Sequence, residues 1–140
     1  MKSQVVAGQG FHFSAPAGWH VTAAGSRASA SHGSDLVQVS TFRLVKRYRD
    51  ALFTRVAKEL DTRMQALAGQ IGGKVAGSEI VTAGGIRSHS YRVDVGGDVV
   101  AYTFVLRDRR EYELLCRHGS SSGDDACNLL LKTFAPSRRP

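Results

Sequence analysis

The cysteines at 116 and 127 are the residues of this 140-residue chain whose type and setting speak most clearly of chemistry. They sit in EYELLCRHGSSSGDDACNLLLKTF: an alternating apolar segment runs up to Cys116, a Ser/Gly turn follows, and Cys127 opens an apolar helical pattern. That arrangement reads as a strand-to-helix joint pinned by a disulfide, and a disulfide persists outside the reducing cytosol. Closing so short a loop stabilises by about 3 kcal/mol in the chain-entropy treatment. Two buried free thiols, or a reactive pair, are the alternatives. Redox pairs usually take the form C-x-x-C, and two cysteines alone seldom make a zinc site.

The other chemical candidates are weaker. His12, His20, His32, His89 and His118 show neither HExxH nor HxH spacing, so no metal site is expected. The run HGSSSGDD sets hydroxyls and carboxylates beside His118, the raw material of a hydrolase using Ser120–Ser122. A nucleophilic serine needs a base, an orienting acid and an oxyanion hole in fixed geometry, and Ser/Gly/Asp runs are ordinary turn chemistry. AGQIGGKV lacks the first glycine and the hydroxyl residue of a phosphate loop, and it follows a helical pattern rather than a strand. No catalytic residue and no cofactor is assigned.

The best candidate surface is the basic cluster Arg43, Lys46, Arg47 and Arg49, with Tyr48 among them. Guanidinium groups grip phosphate or carboxylate through two parallel hydrogen bonds, and a tyrosine ring can stack. The whole chain is basic, with 19 Lys and Arg against 12 Asp and Glu, a net charge of +7. Its isoelectric point is near 9.9. Such a balance favours anionic partners or simply serves solubility.

The elements that must position these residues follow from periodicity. Phe11 and Phe13 share one side of an extended segment, Pro16 and Gly18 supply a turn, and Trp19 starts the next strand. Further strands are expected near 27–31 and over 35–44. Phe53, Val56, Leu60, Met64, Leu67 and Ile71 recur at three- and four-residue steps, predicting a helix from about Asp50 to the Gly72–Gly73 stop. Glycine- and Asp-containing turns then divide four alternating segments (75–83, 86–95, 99–107 and 110–117), predicting an antiparallel meander. In 99–107 both faces are mostly apolar, so the sheet needs a helical layer on each side. The long central helix and a C-terminal helix carrying Cys127, Leu130, Leu131 and Phe134 supply them.

The order F-x-F-x-x-P-x-G-W, strands, one long amphipathic helix, a meander and a short C-x-x-L-L-x-x-F helix resembles the PsbP-like family. The resemblance spans about Phe11 to Phe134. It implies an α+β fold, an antiparallel β-sheet with helices on both faces (an α/β/α sandwich), and binding or assembly rather than catalysis. FRLVKRYRDALFTRVAKELDTRMQALAGQIGG and the cysteine-spaced end are most similar to actinobacterial envelope proteins and lipoproteins. The family's functional residues find no matching motif here.

One domain is expected over 11–135, with a flexible N-terminal segment at 1–10 and a tail at 136–140. No apolar run approaches the ~18 residues of a membrane span. MKSQVVAGQG lacks the apolar centre of a secretory signal, so the disulfide reading implies that residue 1 is not the natural start and that a signal peptide or lipid anchor has been removed. The functional expectation is a non-catalytic, extracytoplasmic binding or assembly module of a bacterial envelope. Its partner would be another envelope protein or an anionic envelope component, with no specific nucleic acid. A basic cytosolic nucleic-acid-binding protein is the first alternative, and the His118 hydrolase the second.

Overall fold

Period-two alternation becomes strand almost wherever it occurs. The computed structural model describes residues 2–119 and 121–137, with nothing said of the side chains of Ser121 and Ser122. In chain order the elements are β1 (Ser3–Gly8), β2 (Phe11–Pro16), β3 (His20–Ala24), β4 (Arg27–His32), β5 (Asp35–Arg43), a 3-10 turn (Asp50–Leu52), α1 (Phe53–Gln70), β6 (Lys74–Ala83), β7 (Ile86–Val95), β8 (Asp98–Arg107), β9 (Arg110–His118), α2 (Ser121–Thr133) and β10 (Ala135–Pro136). Among the described residues the strands form two antiparallel sheets. The larger has order β3-β4-β5-β9-β8-β7-β6 and the smaller β1-β2-β10. The expected four-stranded meander is therefore the right half of a seven-stranded sheet, continued through β9 onto β5.

Each face of the large sheet has its own core. Leu60, Met64 and Ala68 of α1 pack on Tyr91 and Val93 of β7 and on Val100, Tyr102 and Phe104 of β8. On the opposite face Ala126 and Leu130 of α2, followed by Phe134, join Phe11, Phe13, Val37, Val39, Leu114 and Cys116. This is the expected α+β arrangement with helices on both faces. The layer over the second face is not helix alone: the β1-β2-β10 sheet contributes Val6, Phe11, Phe13 and Ala15 to the same core. Over the first face, α1 leaves β3 to β5 without a helix. β3 is exposed along its length, and Phe42 is 45% exposed.

The ten N-terminal residues, expected to be flexible, contain a strand instead. Val6 is 1% exposed, and Gln4 Nε2 donates to the carbonyls of Pro16 (3.1 Å) and Trp19 (2.9 Å). A single buried side chain in a six-residue strand leaves almost no periodic signal. Gly8 lies under the Phe11 ring, where a Cβ would overlap it. At the other end Pro136 pairs with Phe11, and the Ser137 N–H donates to Gly10 O at 2.7 Å. Residues 136 and 137, expected in the tail, are thus tied to the small sheet, and residues 138–140 lie outside the described ones. Among the described residues, no helix is long and apolar enough to cross a membrane.

β7 buries polar side chains on one of its sides. Ser88 and Ser90 alternate with His89 and Tyr91 and share the side of Arg92 and Asp94, yet Ser88 is 1% and Ser90 8% exposed. The hydroxyls are satisfied locally: Ser88 Oγ donates to Ile86 O at 2.9 Å, and Ser90 Oγ lies 3.0 Å from Thr103 Oγ1. Paired hydroxyls can be buried at little cost, so polarity alone misleads here.

Candidate functional site

Three segments meet at one end of the large sheet. β5 ends at Arg43, and the chain continues as a loop to Asp50. β8 and β9 are joined by the two-residue turn Asp108–Arg109. Asp108 adopts φ +53, a left-handed conformation that Asp tolerates better than most residues. The loop is strapped to that turn. The Leu44 N–H donates to Arg109 O at 2.7 Å, the Tyr48 N–H to Asp108 O at 2.6 Å, and Arg109 Nη1 reaches Val45 O at 3.4 Å.

The register then lines up like charges. Arg107 lies directly opposite Arg110, and Arg110 directly opposite Arg43. Directly paired residues share a face, so three arginines occupy neighbouring positions across three strands, on the side of Tyr112. With Arg47 and Arg109 they line a cleft of about 500 Å3, together with Asp108, Tyr112 and Ser137. Among these residues Asp108 is the one carboxylate, and it bridges Arg47 at 3.1 Å. Both side chains of that bridge are more than 60% exposed, so it contributes little stability.

Of the residues singled out in the sequence, Arg43 and Arg47 line the cleft. Lys46 and Arg49 are exposed and do not line it. Tyr48 lines a neighbouring hollow with Asp50 and Arg87. Burial, and then the Asp50 charge, raise its phenol above the usual value while Arg87 opposes. Arg107, Arg109 and Arg110 escaped the sequence reading. The signal was present in RDRR: a hairpin turn at Asp108–Arg109 already sets Arg107 against Arg110.

Cys116 and Cys127 form the disulfide, with Cα atoms 5.6 Å apart, and no cysteine is free. It borders a second groove of about 420 Å3 between α2 and β6–β8, lined also by Val81, Val99, Leu131 and His118. His118 Nε2 lies 3.7 Å from Asp124 Oδ1. Ser120 falls outside the described residues. Among the described residues no group of three or more His, Cys, Asp or Glu could hold a metal ion.

The electrostatics beneath α1 are structural. Arg63 donates to both oxygens of Glu111 at 3.1 Å and lies over the Phe104 ring, 5.2 Å from its centroid. Tyr91 Oη donates to Asp61 Oδ1 at 2.5 Å; burial first, then that bond, push its phenol well above the usual value. Glu113 is held above the ordinary 4.5 of glutamate by burial first and by Glu111 second, with Arg63 and Arg27 opposing. A raised folded-state value means that the native state binds the proton more tightly than the unfolded chain. The associated stability is complete below about 4.5 and is lost as pH rises through the folded value. Glu113→Gln is therefore expected to flatten the stability–pH curve just above 4.5 and to leave neutral-pH stability equal or higher. Urea titrations across pH 4–7 check this, and a clear loss at pH 7 would contradict it.

Solved structures share the architecture. The solution structure of cyanobacterial PsbP (CyanoP) from Synechocystis sp. PCC 6803 superposes with TM-score 0.61 at 14% identity, covering 91% of this chain and 86% of that one. The fold is PsbP-like. A crystal structure from Bacteroides thetaiotaomicron VPI-5482 also superposes, with TM-score 0.61 at 11% identity. It covers 92% of this chain, which spans 46% of the Bacteroides one. No protein-family profile and no curated protein matches the sequence. At such identities the PsbP-like likeness is one of fold, and function must be argued from the site.

Proposed function

We propose that this PsbP-like domain is a non-catalytic, extracytoplasmic binding module of a bacterial envelope, holding an anionic partner in the arginine cleft. The partner would be another envelope protein or an anionic envelope component. One observation carries the reading: five guanidinium groups line one cleft against the single carboxylate of Asp108. Like charges directly opposed on neighbouring strands destabilise a sheet, so a row of three arginines lowers the stability of this end of the sheet. An anion seated among them removes that repulsion and accepts bidentate hydrogen bonds.

The compartment is argued from the Cys116–Cys127 bond, which favours an oxidising environment and weighs against the cytosolic nucleic-acid reading. The hydrolase reading needs a nucleophile among Ser120–Ser122 beside His118, and Ser120 and the side chains of Ser121 and Ser122 lie outside the described residues.

The test compares two charge-matched variants on a cation-exchange resin, whose fixed groups are anionic. Arg43→Ala/Arg107→Ala/Arg110→Ala empties the row, whereas Arg49→Ala/Arg55→Ala/Lys58→Ala removes the same charge elsewhere. The first is expected to elute at clearly lower salt than the second. Equal elution would mean that net charge alone governs binding and would remove the cleft from consideration.

A further inference from the structure

Resting on the anion-binding reading, the geometry points to a more specific ligand: we propose that the cleft binds a linear phosphodiester chain, gripped by its backbone charges alone. The reasoning starts from spacing. Neighbouring strands lie about 4.8 Å apart, so the aligned Arg107, Arg110 and Arg43 positions step across roughly 10 Å in one line. Arg47 and Arg109 border the same cleft. A lone phosphate would meet two or three of these groups and leave the others facing one another. A chain with one charge per repeat neutralises the row in sequence and releases a counterion at each contact.

The lining also says what is not read. A protein partner is normally anchored by an aromatic or aliphatic side chain in a desolvated pocket. Apart from Tyr112, every residue bordering this cleft is charged or is Ser137, and the Tyr112 ring is 3% exposed. That ring, the one aromatic in the lining, is spent on Phe11 and Phe134, with centroids at 6.4 and 5.3 Å. No apolar anchor site is offered to a peptide. Single-stranded nucleic acid is usually held by stacking its bases on exposed rings, and the cleft has none to offer. What remains is a row of forks suited to phosphate oxygens, indifferent to whatever hangs from the chain.

The experiment measures affinity by calorimetry for four probes: poly(glycerol phosphate), a single-stranded oligodeoxynucleotide and polyglutamate of equal total charge, and orthophosphate. With five arginines against one aspartate, about four contacts are expected, so log K for poly(glycerol phosphate) should fall against log salt with a slope of about −3. Arg43→Ala/Arg107→Ala/Arg110→Ala should weaken that polymer by at least about a hundredfold and bring the slope near −1. Arg43→Lys/Arg107→Lys/Arg110→Lys should keep most of the slope but lose affinity, because ammonium groups cannot grip in bidentate fashion. The oligonucleotide should bind within about threefold of poly(glycerol phosphate), since base stacking would add far more than that. Polyglutamate and orthophosphate should bind much more weakly.

Orthophosphate matching the polymer per phosphate, with both lost in the alanine variant, would keep the anion site and overturn the chain. Polyglutamate matching poly(glycerol phosphate) would overturn the preference for phosphate. An oligonucleotide binding about tenfold more tightly or better would mean that bases are read, and would overturn backbone-only recognition. No probe weakened more by the alanine variant than by Arg49→Ala/Arg55→Ala/Lys58→Ala would sink the anion-binding reading itself.

Discussion

Removing the bond between Cys116 and Cys127, by Cys116→Ala/Cys127→Ala or by reduction, is expected to cost about 3 kcal/mol and roughly 10 °C in Tm. The bond closes a short loop, with a sequence separation of 11, so its effect arises chiefly from restricting the unfolded chain. It also has a local consequence. Cys116 on β9 is 4% exposed, and Cys127 packs against the same core as Ala126 and Leu130. The bond therefore ties the first half of α2 to β9 at the centre of the sheet. Hydrogen exchange should show α2 amides losing protection before those of β8 or β9. A double variant within about 1 kcal/mol of the parent would show that the apolar face of α2 alone holds the helix, leaving the bond no structural role.

Gly84→Ala is expected to be about as damaging, near 3 kcal/mol, for a different reason. Gly84 opens the β6–β7 turn with φ +56, and its N–H donates to Leu131 O at 2.9 Å. A Cβ there would overlap the Phe134 carbonyl oxygen, a backbone atom that cannot rotate away. The chain must then lift the end of α2, carrying Phe134 out of its contact with Tyr112. Gly85→Ala is the control. Its φ is +82, but a Cβ would meet nothing within 4 Å, so only the left-handed backbone cost of about 1 kcal/mol applies. Urea unfolding of both variants decides the matter. Equal losses would mean that the turn conformation, and not the close approach of β6–β7 to α2, requires glycine at 84.

Much of this fold was legible because its strands alternate and its long helix does not. Phe53, Leu60 and Met64 recur at helical steps and are buried, and Gly72 takes φ +74 where the helix was expected to stop. The strand-to-helix joint at the cysteines was readable as well, since an apolar alternation and an apolar helical stripe flank one turn. β1 was not, because only Val6 is buried within it. The pairing of β5 with β9 joins residues far apart in the chain, and local pattern carries no information on long-range register. The same gap hid the arginine row. Arg43 meets Arg110 only through that register, so the sequence offered a cluster at 43–49, whereas the structure takes two of its members and adds three from the 107–110 turn. Lys46, Tyr48 and Arg49 had sequence proximity without sharing the cleft. Ser88 and Ser90 are polar side chains buried by pairing with neighbouring groups.

The most direct measurement follows backbone amide resonances while poly(glycerol phosphate) is titrated into the intact protein. The account predicts saturable shifts confined to Arg43–Tyr48, Arg107–Tyr112 and Ser137, which border the cleft or strap the loop to the turn. Shifts centred instead on the α2 groove around Val81, Val99 and Leu131, or scattered over all basic surfaces without saturation, would contradict it.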